Sequence, residues 1–166
     1  MLAGILRLIR SSKDGITPRD ICEKINISKA TLEAQVNRLI AEGYDIEIEE
    51  GKYYMYSYPE NLTSHEILSR IDTKWCGRKV VCRKESVSTN DEAMYMAEED
   101  GRGNGFLVVA EHQTGGKGRR GRVWQSPAGS SIAFSLILRP DVVPDRASMV
   151  TLVMALAVAD VFQKLT

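Results

Sequence analysis

The chain has 166 residues, 43% of them apolar, which is long enough and apolar enough for a packed core and excludes a disordered chain. Lysine plus arginine and aspartate plus glutamate number 22 each, so the overall charge points to no polyanionic partner. The three cysteines include no CxxC pair and the two histidines lie far apart, so we predict no metal site and a reducing, cytoplasmic location.

Neither apolar stretch of the chain predicts contact with a membrane. The first ten residues are interrupted by Arg7 and Arg10, which suits an amphipathic helix better than a signal peptide. The run Met149–Ala159 is shorter than the ~20 residues that span a bilayer. We therefore expect a soluble protein.

Three helices are predicted at the start of the chain. Apolar residues recur at helical spacing between Leu2 and Ile9. Thr17 followed by Pro18 predicts the start of the second helix, and Ser28 after a tight turn caps the third. The apolar stripe of the third helix consists of Leu32, Val36, Leu39 and Ile40, and Gly43 ends the helix.

Two short strands are predicted next. Alternating residues form them on either side of a turn at Gly51 and Lys52: Ile46 and Ile48, then Tyr54, Tyr56 and Tyr58. Three helices and a hairpin in this order predict a winged helix-turn-helix domain over residues 1–62. We place its end there because Pro59, Glu60 and Asn61 mark a change in composition.

Residues 63–166 predict mixed helices and strands, as in an α+β or α/β domain. The expected elements are a helix from Thr63 to Arg70, strands at Lys79–Arg83, Phe106–Glu111 and Ile132–Leu138, a helix from Asn90, a loop at Gln113–Gly129 and a helix from Ala147. These strands are few for a complete sheet, and the last helix reaches Thr166 without a capping residue. We therefore expect part of a longer protein.

The segment between His112 and Pro140, the basic segment, contains no acidic residue. Its basic residues are interleaved with glycines and are Lys117, Arg119, Arg120, Arg122 and Arg139. Glycine lets backbone N–H groups approach a ligand closely, and arginine binds phosphate or carboxylate through two bonds. These residues predict binding of a multiply charged small anion or a nucleic acid backbone. A loop that contacts nothing specific is the alternative, against which Trp124 argues as an apolar anchor.

The basic segment resembles the adenylate-binding loop of biotin protein ligases. Residues 111–127 read EHQTGGKGRRGRVWQSP, and the family loop typically reads G-R-G-R-x-G-R-x-W-x-S-P-x-G. Residues 134–140, FSLILRP, resemble the strand that follows this loop, and Ser88-Thr89-Asn90-Asp91 resembles the family's S-T-N-[DE] element. A winged helix ahead of such a domain is the architecture of the repressor-type ligases. The resemblance thus implies an α+β protein, a winged helix-turn-helix followed by the first part of a class II synthetase-like α/β catalytic domain.

The resemblance also implies an activity and its partners. Biotin would be activated with ATP and Mg²⁺ to biotinyl-5′-AMP and transferred to a lysine of a biotin carboxyl carrier protein. The winged helix would bind operator DNA and repress the biotin operon, with the protein a homodimer when biotinyl-5′-AMP is bound. The alternative is a transcription regulator that senses a small anion without ligase activity. A lipoate ligase is the nearest enzymatic alternative.

The matching positions imply the site residues. Those expected to bind biotin, its carboxylate or the adenylate are Ser88, Thr89, Asn90, Gln113, Gly116, Lys117, Gly118 and Arg119, with Lys117 and Arg119 the catalytic pair. Arg120 and Arg122 would order the loop or contact phosphate, and Trp124 would pack near the adenine. Ser88 to Asn90 also fit a helix cap, and a cap serves both uses.

Three departures from the family pattern affect these expectations. Lys117 stands where the family usually has arginine, which keeps the charge but not the two-pronged geometry. Val87 stands where an acidic residue is frequent. The family's K-W-P-N-D segment with its catalytic lysine, and its small C-terminal β domain, would lie beyond Thr166, so we expect little activity from this chain alone.

The third helix is the expected DNA-recognition helix. The side chains predicted to reach DNA are Lys29, Thr31, Gln35 and Arg38. Residues 1–62 nevertheless hold 8 basic and 10 acidic residues, a poor electrostatic match to DNA. Two interpretations stay open: operator binding as a dimer, or a domain retained for stability or regulation of the ligase.

Overall fold

The structure, a computed structural model, describes residues 1–98, 103–127 and 129–165. The helices are α1 Leu2–Ser11, α2 Pro18–Ile25, α3 Lys29–Ala41, α4 Ser64–Arg70, α5 Thr89–Glu98 and α6 Ser148–Leu165. The strands are β1 Asp45–Glu49, β2 Lys52–Ser57, β3 Lys79–Ser86, β4 Phe106–Lys117, β5 Val123–Ser126 and β6 Ala133–Leu136. Single 3-10 turns lie at Arg119–Gly121 and Pro144–Arg146.

The first three helices begin and end where local chemistry predicts. Thr17 Oγ1 accepts a hydrogen bond from the Asp20 backbone N–H at 3.2 Å, and Ser28 Oγ accepts one from that of Thr31 at 3.1 Å. Asn26 ends α2 in the left-handed conformation, at φ 53°. These three helices and the β1–β2 hairpin enclose a single apolar core. Its buried residues are Ile5, Leu6, Ile9, Ile16, Ile21, Leu32, Val36, Leu39, Tyr44, Ile46 and Tyr53.

The β1–β2 hairpin is the wing, and it corrects two details of the prediction. Its turn lies at Glu50 and Gly51, because both residues have positive φ, 48° and 78°, as a two-residue hairpin turn requires. Tyr53 points into the core, whereas Tyr56 and Tyr58 are exposed. Ile40, predicted for the apolar stripe of α3, is 45% exposed because Leu32, Val36 and Leu39 complete the buried face.

Helix α4 packs against α1. Thr63 caps it by accepting the Glu66 N–H at 3.1 Å, as predicted. Arg7 of α1 donates to the carbonyl oxygens of Leu68, Ser69 and Ile71, which end α4 without helical partners. At its other end the Leu62 N–H donates to Glu111 Oε1 of β4 at 2.8 Å. This helix therefore contacts both halves of the chain.

A mixed sheet forms the second half of the described chain. β3 and β4 run parallel, from Lys79 opposite Phe106 to Ser86 opposite Gln113, and α5 connects them. β6 pairs antiparallel with the first part of β4, and β5 with its last part. The buried core beneath α5 is small, and its described members are Ala93, Phe106, Val108 and Ile137.

Strand β4 is longer than predicted, and this changes the basic segment. A strand ending at Glu111 and a loop from Gln113 were expected, but β4 continues to Lys117 and returns as β5. The glycines are compatible with this because Gly116 pairs with Trp124, where a side chain would lie 2.7 Å from the Trp124 carbonyl oxygen. Residues 113–126 of the predicted loop therefore lie in a β-hairpin. The strand predicted at 132–138 is shorter, Ala133–Leu136.

Helix α6 presents its apolar side chains to solvent within the described residues. It is long and apolar enough to cross a membrane by length and composition alone, as core helices of soluble proteins also are. Its exposed large residues include Met149, Leu152, Leu156 and Phe162.

Candidate functional site

Ser88 and Thr89 are buried at the start of α5, with 4% and 3% of their surface exposed. Ser88 Oγ accepts the Asp91 N–H at 3.4 Å, and the Ser88 carbonyl accepts the Glu92 N–H at 3.0 Å. Ser88 thus occupies the N-cap position of α5. Asn90 is exposed at the same helix end, and its Nδ2 donates to Met94 Sδ at 3.9 Å, so this motif presents one exposed amide beside two buried hydroxyls.

Thr89 and Gln113 bring the two motifs of the sequence together. Gln113 Oε1 accepts from both the backbone N–H and the hydroxyl of Thr89, at 2.8 and 3.1 Å. The Thr89 hydroxyl also lies 3.1 Å from Ser135 Oγ on β6. Because its oxygen is engaged, Gln113 can offer only its Nε2 donors to a ligand.

An apolar cleft opens beside this polar cluster, between α5, β6 and the start of α6. Its volume is about 590 Å³. Asn90 and Ser135 lie at its polar edge, and its apolar wall consists of residues such as Met94, Phe134 and Val150. A cleft with an apolar wall and a few polar groups suits a small, largely apolar ligand with a polar head.

The β4–β5 hairpin forms the basic wall of the site. A β-bulge lies between Gln113 and Gly116, where β4 has one residue more than β5. The Gly115 N–H donates to the Val87 carbonyl at 2.8 Å, and the Gly118 N–H donates to the Arg122 carbonyl at 2.7 Å. Both bonds fix the backbone of the glycine-rich stretch.

The basic side chains of the hairpin differ in their surroundings. Lys117 Nζ lies 2.6 Å from Asp91 Oδ2. Arg120 is exposed and has a left-handed backbone, φ 61°, at the tip of the hairpin, and Arg122 is exposed beside it. Trp124 is 63% exposed, free to cover a ligand. Arg119 was also predicted for this site, but its side chain lies outside the part of the chain that the structure describes.

The predicted DNA-contacting residues of α3 differ in their exposure. Lys29 and Arg38 are exposed, but each is paired along the helix, with Glu33 at 3.7 Å and Glu42 at 2.9 Å. Thr31 and Gln35 are half-buried. Gln35 and Arg38 line a cleft shared with α4 and the start of α1.

Sequence reasoning missed two exposed positions on α3. Ala34 and Asn37 are exposed. Ala34 follows the buried Leu32 by about half a turn, so the helical period would have located it, whereas Asn37 lines a cleft with Val36 and with Tyr53 of the wing. Asn37 has the amide that binds adenine in DNA complexes.

The wing is acidic where it is exposed. Glu47, Glu49 and Glu50 lie along its outer edge. Tyr56 donates its hydroxyl to Glu49 Oε1 at 2.5 Å, and this hydrogen bond raises the pKa of Tyr56 to about 12. The wing therefore presents negative charge, which DNA phosphates would repel.

The described chain is thus a winged helix-turn-helix domain followed by a mixed sheet that carries the candidate site. Residues 4–44 match the winged helix-turn-helix DNA-binding family model, and residues 84–165 match that of the biotin/lipoate A/B protein ligase family. The segment 84–165 of this chain belongs to the biotin/lipoate A/B protein ligase family.

The chain is similar to several named proteins. The chain is 32% identical over 150 residues to the bifunctional ligase/repressor BirA of Bacillus spizizenii, covering 90% of this chain and 46% of the relative. It is 31% identical over 145 residues to that of Escherichia coli, covering 86% and 43%. Over 73 residues it is 42% identical to the biotin--[acetyl-CoA-carboxylase] ligase of Paracoccus denitrificans, covering 44% and 29%. The chain thus spans less than half the length of these relatives.

Proposed function

We propose that this protein acts as a biotin--[acetyl-CoA-carboxylase] ligase and represses its biotin operon. The observation that carries the ligase proposal is the pair of hydrogen bonds from Thr89 to Gln113, because they unite the S-T-N motif and the basic hairpin in one site. Four relatives named bifunctional ligase/repressor BirA, each matched over at least 86% of this chain, support both activities.

In the first step the carboxylate of biotin attacks the α-phosphorus of ATP. A new carboxyl oxygen–phosphorus bond forms, the bond to the β-phosphate breaks, and pyrophosphate leaves with that electron pair. Lys117 and Arg119 would offset the repulsion between the two anions and stabilise the charge developing on phosphorus.

Thr89, Asn90 and Gln113 would hold biotin during this step. The Asn90 amide and the Nε2 group of Gln113 can donate to its polar groups, while the apolar cleft beside Asn90 takes its apolar part. Arg120 and Arg122 would order the hairpin over the phosphate, and Trp124 would cover the adenine.

In the second step a lysine of the biotin carboxyl carrier protein attacks the carbonyl carbon of biotinyl-5′-AMP. An amide bond forms, the carbonyl–oxygen bond to AMP breaks, and the lysine nitrogen loses a proton. The ordered hairpin would keep water from the anhydride until the carrier arrives.

Mg²⁺ would enter with the nucleotide. Within the described residues no group of three or more His, Cys, Asp or Glu side chains is placed to hold a metal ion. Magnesium typically uses substrate phosphates as ligands, and the triphosphate of ATP can supply them.

Repression would use α3 and the homodimer formed with biotinyl-5′-AMP. Lys29, Thr31, Gln35 and Arg38 are the proposed contacts, and the exposed Asn37 joins them. The location would be the cytoplasm. We assign α6 to the interior of the complete ligase domain and not to a membrane, because it lies within the family match to residue 165.

Transfer of labelled biotin to a carrier domain, dependent on ATP, tests the ligase proposal. Thr89→Val, which removes the hydroxyl without changing size, is expected to weaken biotin binding, since a lost hydrogen bond to a buried group costs about 1–3 kcal/mol. Thr114→Val is the matched control, because Thr114 is exposed one residue from Gln113. Failure of the complete protein to transfer biotin would refute the proposal.

A gel shift with DNA upstream of the biotin genes, at low salt and with biotinyl-5′-AMP, tests repression. A shift that requires the adenylate is expected. No shift under these conditions would remove the repressor role and leave the winged helix as a structural part of the ligase.

A further inference from the structure

The ion pair between Lys117 and Asp91 joins the two motifs of the site, and the proposed reaction gives Asp91 no role. Lys117 is the last residue of β4, and Asp91 lies in the first turn of α5. Their charged atoms are 2.6 Å apart, and the side chains are 70% and 44% exposed. The ammonium proposed to bind the ligand's anion is thus already bound to a carboxylate.

A ligand anion can displace Asp91 from an ion pair as exposed as this one. Ion pairs with this exposure change an equilibrium by about five-fold or less, because water competes for both charges. A ligand carboxylate or phosphate would meet Lys117 together with the exposed guanidinium groups of Arg120 and Arg122 on the same hairpin. It would gain several bonds where Asp91 offers one, and so would displace Asp91.

We propose that Asp91 is a positioning residue that competes with the anionic ligand for Lys117. In the free protein it holds the lysine towards α5, and in the complex the carboxylate or phosphate of the ligand takes its place. Asp91 therefore lowers the affinity for anionic ligands, and it does so through Lys117. This inference rests on the proposed function for the identity of the ligand, biotin.

Charge removal at each partner tests the competition. Dissociation constants are measured by titration calorimetry for biotin and for its neutral amide, with the wild type, Asp91→Asn, Lys117→Gln and the double variant. We expect Asp91→Asn to bind biotin about two- to five-fold more tightly, the range of an exposed ion pair, and the neutral amide unchanged. Asp91→Glu keeps the charge and is expected to bind biotin as the wild type does.

The Lys117→Gln background distinguishes competition from direct repulsion. If Asp91 acts through Lys117, the gain from Asp91→Asn disappears when residue 117 is glutamine. An equal gain in both backgrounds, or no gain in either, would overturn the proposal. So would weaker binding of biotin and its amide alike, since that indicates structural damage. Asp141→Asn, an exposed carboxylate outside the site, is the matched control.

Inorganic pyrophosphate separates this inference from the proposed function. The same variants are titrated with pyrophosphate, which needs Lys117 but no biotin pocket. A gain for Asp91→Asn that depends on Lys117 supports the competition even if the wild type binds no biotin, a result that would refute only the ligase proposal. A chain that binds biotin but shows no such gain with either ligand refutes the competition alone.

Discussion

Arg10 of α1 donates hydrogen bonds at 2.8 Å to both carboxylate oxygens of Glu66 on α4. The carboxylate also accepts from Arg70 Nε at 2.6 Å and from the Tyr44 hydroxyl at 2.8 Å. Glu66 is buried, so a charge that would be costly alone is fully paired. This cluster ties α4 to the winged-helix half of the chain.

Removing the Glu66 charge is therefore expected to destabilise the winged helix. Glu66→Gln leaves Arg10 and Arg70 facing a neutral group, and breaking a buried pair costs about 3–5 kcal/mol. Urea unfolding followed by circular dichroism measures this change. Glu60→Gln, at an exposed position, is the control. A loss under about 1 kcal/mol would show that the pair behaves as a surface pair.

The free energy of unfolding is expected to decrease in two stages as the pH falls. Burial lowers the pKa of His65 from its ordinary 6.5, so the unfolded chain takes up a proton that the folded chain resists. Burial raises the pKa of Glu66, but hydrogen bonds from Arg70, Tyr44 and Arg10 outweigh it and hold that pKa below the ordinary 4.5. Both groups stabilise the fold above their ordinary pKa, and this stability is lost as the pH falls through the folded value.

The urea midpoint measured against pH checks both stages. His65→Gln is expected to flatten the decline below pH 6.5 and leave the decline below 4.5. Glu66→Gln is expected to do the reverse. A wild-type midpoint that stays constant down to pH 4.5 would contradict the role given to His65.

Gly116→Ala is expected to disturb the β4–β5 hairpin and the ligand site with it. The added methyl group would lie 2.7 Å from the Trp124 carbonyl oxygen, which requires the backbones to separate. Overpacking of this kind costs about 1–3 kcal/mol, so biotin affinity is expected to fall by about five-fold or more. Gly103→Ala is the control, because nothing lies within 4 Å of its added methyl group. Equal affinities in the two variants would show that the hairpin does not form the site.

Arg119→Gly is expected to separate synthesis of the adenylate from its retention. The other basic groups would still support the first step, but the loop would hold biotinyl-5′-AMP less firmly. Rapid filtration of labelled adenylate after a single turnover of the complete protein measures the fraction released. Arg78→Gly is the control in the same half of the chain. Retention equal to that of the wild type would make the role of Arg119 wrong.

Arg38→Gln is expected to weaken operator binding uniformly across sequences. If Arg38 leaves Glu42 for a phosphate, its loss should lower the slope of log affinity against log salt by about one. Binding isotherms at several salt concentrations measure this slope, with Arg78→Gln as the control. An unchanged slope would mean that Arg38 stays paired with Glu42 in the complex.

The features that sequence predicted best depend on neighbouring residues. Thr17, Ser28 and Thr63 cap helices because a hydroxyl and the N–H three residues later are always close in the chain. The continuation of β4 past Glu111 depends instead on pairing with β5. Nothing local marks a glycine-rich stretch as a strand.

The polar contacts between distant residues could not be predicted for the same reason. Arg10 and Glu66 are far apart in sequence, and each is an ordinary surface residue by type until α4 folds onto α1. Asp91 and Lys117 were both visible in the motifs, but their pairing was not. The motif residues Thr89 and Gln113 were predicted for the site, and the bond between them was not.

The contacts of helix α4 determine which proteolytic fragment of the protein keeps its fold. Arg7, Arg10 and Tyr44 all lose acceptors if the chain is cleaved before Thr63, whereas cleavage between α4 and β3 leaves those bonds intact. A protease acting on the native protein should therefore release an N-terminal piece that includes Arg70. That piece, not one ending at the wing, is the smallest winged-helix unit expected to keep its fold.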